Sequence, residues 1–81
     1  MEVRHSYRSH FIRGCSLEVR GGGFTAHTYI EKFSGGAFES TPFFSGQVFP
    51  SQEAALGAAV QIGRYKIDTG FDSSVEIVEV P

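Results

Sequence analysis

The longest periodic run of hydrophobic positions falls between residues 49 and 70 and predicts an amphipathic helix. At 3.6 residues per turn, one arc of this stretch holds two polar residues and a glycine, namely Gly57, Gln61 and Arg64. The opposite, apolar arc holds Ala55, Leu56, Ala59, Val60, Ile62, Gly63 and Ile67. Because several members of this arc lack bulk, we expect a sheet to pack closely against the helix.

Both ends of this helix are marked in the sequence. Ser51 is a suitable N-cap, since its hydroxyl accepts from a free amide in the first turn. Glu53 places a negative charge against the positive end of the helix dipole. Gly70 suits the end of the helix, because glycine adopts the left-handed conformation found there. The sequence therefore predicts a helix that begins near Ser51 and ends before Gly70.

Alternating patterns before the helix predict an antiparallel meander. The three predicted strands are residues 7–20, 24–33 and 38–44. Glycine-rich turns at 21–23 and 34–36 separate them, and such turns are typical of hairpins. Pro42 has no backbone N–H to donate to a neighbouring strand, so we expect the third strand to lie at an edge of the sheet.

The alternation also predicts which side chains face the helix. In the second strand we assign the even positions to the core, because the odd positions carry His27 and Glu31. In the first strand the odd positions are more apolar from Cys15 onward, so we expect Cys15 to point inward. The register of the first hairpin is then expected to bring Cys15 opposite a residue near 29.

The two ends of the chain carry weaker signals. Residues 1–6 contain no turn signal and are expected to be frayed. Residues 74–80 alternate and predict a short strand, which a right-handed crossover would return beside strand one. The predicted fold is thus α+β, with a three-stranded antiparallel meander packed on one C-terminal helix (βββα) and a short fourth edge strand after the helix. We expect residues 1–81 to form a single domain.

Composition narrows the functional classes. The 81 residues carry a formal net charge of −2, so no overall basic field draws nucleic acid or an anionic membrane. A single cysteine excludes an internal disulfide, and no apolar run resembles a signal peptide or a membrane span. We therefore expect a cytoplasmic protein.

No constellation predicts catalysis, a metal site or a cofactor. The three histidines are too scattered for metal-ligand spacing. Cys15 and His27 could meet across the first hairpin as a nucleophile and its base. The predicted parity turns Cys15 inward, however, and the sequence indicates no third group that would orient the base. The glycines at 21–23 lie between strands, so they lack the helix N-terminus that a phosphate loop requires.

The candidate binding face is the side of the sheet away from the helix. Its predicted members are Arg13, Arg20, His27, Tyr29 and Phe33. Aromatic side chains interleaved with arginines on an open sheet stack single-stranded bases in several folds. The same side chains would also suit a protein interface or a small second cluster. We expect a non-enzymatic interaction or regulatory domain that binds a protein or itself, with weak nucleic-acid binding as the alternative that the acidic net charge disfavours.

The helical motif and the strands before it resemble a family of small proteobacterial proteins of unknown function. The resemblance covers residues 7–69, from the Tyr7 to Ile12 segment through the YKID sequence at 65–68. The matching helix positions are Ser51, Glu53, Ala54, Leu56, Ala59, Gly63, Arg64, Ile67 and Asp68. The resemblance implies a strand-strand-strand-helix fold and carries no catalytic or ligand residue. A three-stranded sheet with one helix is also similar to the DNA-binding domains of certain plant transcription factors and integrases, which have a basic sheet face that this chain lacks.

Overall fold

The computed structural model describes residues 1–70, in which four strands precede one helix. The elements are β1 (Glu2–Tyr7), β2 (His10–Glu18), β3 (Phe24–Ser34), β4 (Ala37–Phe49) and α1 (Gln52–Asp68). All neighbouring strands are antiparallel, and the sheet order is β1-β2-β3-β4. The three-stranded prediction is therefore wrong, and the fold is a four-stranded meander followed by a helix. The strand predicted at 74–80 lies outside the described residues.

The first strand was missed because its turn carries no sequence signal. Residues 1–6, predicted to be frayed, form most of β1, and the stretch predicted as one strand from 7 to 20 divides at Arg8 and Ser9. These two residues turn the chain with φ angles of 47° and 65°, which are uncommon for residues other than glycine, asparagine and aspartate. As a result β1 occupies the position beside β2 that was predicted for a strand after the helix.

The other edge of the sheet agrees with the prediction from Pro42. β4 is the outermost strand on that side and pairs with β3 along most of its 13 residues. The segment from Ser45 to Gln47, which follows the third predicted strand, is a register shift within β4 opposite Ala26. There the buried Ser45 hydroxyl accepts the Gln47 backbone N–H at 3.1 Å.

The helix begins and ends as the sequence indicates. The Ser51 hydroxyl accepts the Ala54 N–H at 3.1 Å, and Glu53 lies in the first turn. At the other end the Thr69 N–H bonds to the Tyr65 carbonyl, and Gly70 follows with a φ of 69°. The seven residues of the predicted apolar arc are all buried, so the predicted rotation of the helix is confirmed.

The helix covers one face of the sheet, and the even-numbered residues of β2 and β3 point toward it. For β3 this confirms the prediction, because Ala26, Thr28 and Ile30 are buried. For β2 the predicted parity is wrong, since Ile12 is buried while Leu17 is more than half exposed. The apolar odd positions that suggested the opposite parity lie toward the end of β2, on the face that the helix does not cover.

Small residues let the helix and sheet approach closely. A Cβ atom added to Gly63 would lie 2.6 Å from Ile12 Cγ2, and one added to Gly14 would lie 3.1 Å from Ala59 Cβ. The Thr28 hydroxyl, buried at the same contact, donates to the Ala59 carbonyl at 2.7 Å. Close approach explains why glycine is present in a helix interior, where it costs about 1 kcal/mol relative to alanine.

Candidate functional site: the open face of the sheet

The open face is the side of the sheet opposite α1, and no other described residue covers it. It consists of the odd-numbered positions of β2 and β3 and the even-numbered positions of β1 and β4, which the strand registers bring onto one side. A four-stranded sheet has two faces and a single helix covers one of them, so this face is uncovered within residues 1–70.

Large apolar side chains are concentrated on the open face. Six of them expose between 45% and 65% of their surface. They are Phe11, Leu17, Phe33, Phe38, Phe44 and Val48. Single exposed apolar residues are common on proteins, whereas extended apolar surfaces are rare on monomers.

An arginine and three rings form the centre of this face. The Arg13 guanidinium carbon lies 4.3 Å from the centroid of the Tyr29 ring, which is cation–π geometry. Phe44 meets Tyr29 edge-on at 6.3 Å and His27 edge-on at 5.0 Å, measured between ring centroids. His27 Nε2 in turn lies 2.9 Å from the Thr25 hydroxyl. These contacts hold the rings in fixed orientations, so the centre of the face is preorganised.

The charges on the open face neutralise one another. Glu31 is buried, and its carboxylate lies 2.8 Å from Arg4 and 3.6 Å from Arg13. Glu2 lies 3.4 Å from Arg13 on the other side. Burial acts to lower the pKa of Arg13, but the hydrogen bond to Glu2 and the neighbouring charges raise it overall. Two arginines and two carboxylates thus leave the face with no net charge.

The structure brings together three of the five residues predicted for this face. Arg13, His27 and Tyr29 are neighbours, whereas Phe33 lies four residues beyond Tyr29, about 13 Å further along β3. There Phe33 packs edge-on against Phe38 at 6.1 Å. Arg20 is outside the cluster, because it lies in the turn after β2 ends.

Sequence reasoning missed the partners that β1 and β4 contribute. Arg4 and Glu2 were overlooked because their segment was expected to be frayed. Phe44 belongs to the third predicted strand, for which no face is predicted, and its place opposite His27 depends on the β3–β4 register. The alternation of residues 38–44 was the available signal, since placing Phe38 opposite Phe33 across the 34–36 turn puts Phe44 on the open face.

Cys15 and His27 are direct partners across β2 and β3, rather than Cys15 meeting a residue near 29. Both lie on the open face, so the inward orientation predicted for Cys15 is wrong. The thiol faces Glu2 Oε1 at 3.7 Å and Arg13 at 3.9 Å, while His27 contacts Thr25. Burial and the charge of Glu2 raise the pKa of the Cys15 thiol, and Arg13 opposes this only in part. The thiol is therefore protonated at neutral pH, the state in which it is a poor nucleophile.

Within residues 1–70, no three His, Cys, Asp or Glu side chains group as metal ligands. The one helix of this part of the chain lacks the length and apolar character needed to cross a membrane. Comparisons with protein-family models, with curated proteins and with solved structures find no match. The resemblance to small proteobacterial proteins stays a prediction.

Proposed function

We propose that this chain is a non-enzymatic protein–protein interaction domain, that its interface is the open face, and that a second copy of the chain occupies it. The observation that carries the proposal is the set of six exposed apolar side chains on one face of the sheet. Removing such surface from water is the main favourable contribution in most protein associations. Aromatic residues and arginine are also the residue types enriched at interfaces.

The size of the face suits a stable pair. Four strands of 6 to 13 residues give a face roughly 19 Å wide and 20 to 43 Å long, or about 600 Å², which approaches the ~800 Å² per partner of an ordinary interface. The preformed contacts among Arg13, Tyr29 and Phe44 reduce the side-chain ordering that binding costs. These features support an interface that is largely formed before the partner arrives.

Charge favours a second copy as the occupant. The two arginines and two carboxylates of the face cancel, so two identical faces meet without net repulsion. A two-fold dimer uses the same patch on both chains, which a neutral and apolar patch allows. The expected assembly is a symmetric sheet-on-sheet dimer with Phe44 near its centre.

Sedimentation velocity of the full chain over a dilution series tests this proposal. We expect monomer at about 1 µM and dimer at several hundred micromolar, as for a dissociation constant in the micromolar range. Phe44→Glu is expected to abolish the dimer, because it introduces an unpaired charge at the centre of the interface. Tyr65→Glu is the matched control, since Tyr65 is an exposed ring on the helix and its replacement is expected to leave association unchanged.

Three results would contradict the proposal. A chain that is monomeric at every concentration has no second copy on the open face. Equal association of the wild type and of Phe44→Glu, with the variant folded by circular dichroism, moves the contact to another surface. Loss of association in Tyr65→Glu alone points to the outer side of the helix.

Nucleic-acid binding is the second candidate, favoured by the stacked Arg13 and Tyr29. The internal ion pairs argue against it, because they leave no free positive charge on the face for phosphates. An amide-shift titration with a short single-stranded oligonucleotide at low salt decides between the two. Binding would weaken steeply with salt and lose about 1–3 kcal/mol on Tyr29→Ala. No shift at excess oligonucleotide removes this candidate.

A further inference from the structure

A second surface, separate from the open face, lies where β1 meets the helix. A groove with a volume of about 300 Å³ runs between them and is open to solvent. Val3, Leu56 and Val60 supply its apolar lining, and Gly57 forms part of its outer wall. A Cβ added to Gly57 would meet no atom within 4 Å, so the missing side chain contributes to the open volume.

The groove runs beside an edge strand whose outward backbone groups can be identified. The Ser16 N–H donates to the Met1 carbonyl, so residues 1 and 16 form a hydrogen-bonded pair of the antiparallel ladder. Such pairs alternate along the ladder, and Val3, His5 and Tyr7 therefore bond inward to β2. The N–H and C=O groups of residues 2, 4 and 6 point away from the sheet, where no described strand pairs with them.

The two edges of the sheet are not equivalent. β4 is interrupted by Pro42, which has no N–H, and by the register shift near Ser45. Over its six residues β1 contains neither a proline nor a register shift. An extended segment added to the sheet pairs better with β1, and its alternate side chains then point over the groove.

The positive charge of Arg64 favours a segment that carries a carboxylate. Arg64 and His5 line one part of the groove, and no carboxylate of residues 1–70 lines it. The Arg64 guanidinium lies 5.6 Å from the centroid of the Tyr7 ring and is therefore close to β1. Val3 and His5 are two residues apart on the same face of β1, so an apolar and a polar contact follow one another at strand spacing.

We propose that the outer edge of β1 and this groove bind an extended peptide segment of a partner protein. The segment carries an aliphatic side chain and a carboxylate two residues apart on the same face. Its backbone pairs with residues 2, 4 and 6, its aliphatic side chain enters the groove beside Val3, and its carboxylate meets Arg64. This mode of recognition is strand addition, in which the backbone provides affinity and alternate side chains provide specificity.

The test is an amide-shift titration of the full chain with blocked synthetic heptapeptides. The probes are Thr-Val-Thr-Val-Thr-Glu-Thr and the same sequence reversed, which together cover both strand directions. We expect saturable shifts at the amides of β1 and at Gly57 for at least one probe. A peptide with serine in place of valine is expected to bind at least about tenfold more weakly, and one with glutamine in place of glutamate about threefold to tenfold more weakly.

Paired variants of the protein separate the contacts. Gly57→Leu fills the groove and is expected to weaken binding about tenfold, whereas Gly57→Ala leaves most of the groove open and changes it little. Ser6→Pro removes an outward N–H and is expected to weaken binding by a similar factor, with Ser6→Ala as its control. Arg64→Gln is expected to remove the preference for glutamate over glutamine while the serine peptide still binds most weakly.

Three results would overturn the proposal. These are no shift with either probe, shifts confined to the open face, and binding that Gly57→Leu leaves unchanged. Failure here leaves the dimer proposal untouched, because Phe44 and the groove lie on opposite faces of the sheet.

Discussion

The two faces of the sheet differ in the size of their side chains and in what lies against them. On the covered face, Gly14, Ala26 and Ala59 bring the helix close, and the largest fully buried side chains are Ile12 and Ile30. On the open face the side chains are larger, yet rings such as Phe44 are more than half exposed. Stability therefore resides mainly on the face with small residues, whereas the large residues of the other face are exposed within residues 1–70.

The largest expected difference in the free energy of unfolding is between substitutions of two adjacent residues on opposite faces of β2. Ile12→Ala leaves a cavity in the closest packed part of the core and is expected to lower the free energy of unfolding by about 2–5 kcal/mol. Phe11→Ala removes a larger but 45% exposed ring and is expected to cost less than about 1 kcal/mol. Urea unfolding at low protein concentration measures both free energies without a contribution from association. Equal losses would show that the open face is covered in solution.

A larger side chain at the contact between the helix and the sheet tests how closely the two pack. Ala59 is fully buried against Gly14, so Ala59→Leu is expected to destabilise the fold by about 1–3 kcal/mol through overpacking. Gln61→Leu places the same side chain on an exposed position of the same helix and serves as the control. Ala58 is unsuitable for this purpose, because it packs against the cluster of Ala26, Ala55 and Ala59.

A stable Ala59→Leu variant would indicate a looser contact between helix and sheet than the geometry gives. Thermal unfolding of the two leucine variants, followed by circular dichroism, supplies the comparison. Loss of stability in Gln61→Leu alone would contradict the rotation of the helix.

The helix could be predicted from sequence because its determinants are local. The Ser51 hydroxyl accepts the Ala54 N–H within one turn. The burial of the apolar arc follows from the helical spacing of hydrophobic residues in the sequence. The parity of β3 was also accessible, because His27 and Glu31 mark its polar side. These features depend on residues near one another in the chain.

The missed features depend on contacts between distant segments or on uncommon backbone angles. In the β1–β2 turn, Arg8 and Ser9 adopt the left-handed conformation. The turn therefore contains no glycine or asparagine from which it could be predicted. Arg4 and Glu31 are 27 residues apart in the chain, so their pairing could not be predicted while β1 was missed. The centre of the open face likewise depends on Phe44 lying opposite His27, which the β3–β4 register decides.

Removing charge from the open face is expected to change stability less than either change on the covered face. Arg13→Ala deletes the contact with Tyr29 and the ion pairs with Glu2 and Glu31. Arg13 and Glu2 are partly exposed, and the buried Glu31 keeps Arg4 as a partner at 2.8 Å, so we expect a loss of about 0–1 kcal/mol. Arg20→Ala is the control, because Arg20 lies in the turn and is expected to have no effect. A loss well above this range would show that Glu31 depends on Arg13 for compensation of its buried charge.

The smallest expected effect concerns the Cys15 thiol and appears only in alkaline solution. Burial and the charge of Glu2 raise the pKa of Cys15 in the folded protein above its ordinary value of 9.0. A raised folded-state pKa means that the folded state holds the proton more tightly than the unfolded state. The resulting stability is complete below the ordinary pKa and is lost as the pH rises from about 9 through the folded-state pKa.

Cys15→Ser isolates this effect from every other group that titrates in the same range. The difference in unfolding free energy between the wild type and the variant is expected to be constant from pH 6 to about pH 8 and to shift against the wild type above pH 9. The native thiol is also expected to react with a disulfide reagent at neutral pH more slowly than it does in urea, because the thiolate is the reactive form. A native thiol that reacts faster than the unfolded one would mean that Arg13, rather than Glu2 and burial, controls Cys15.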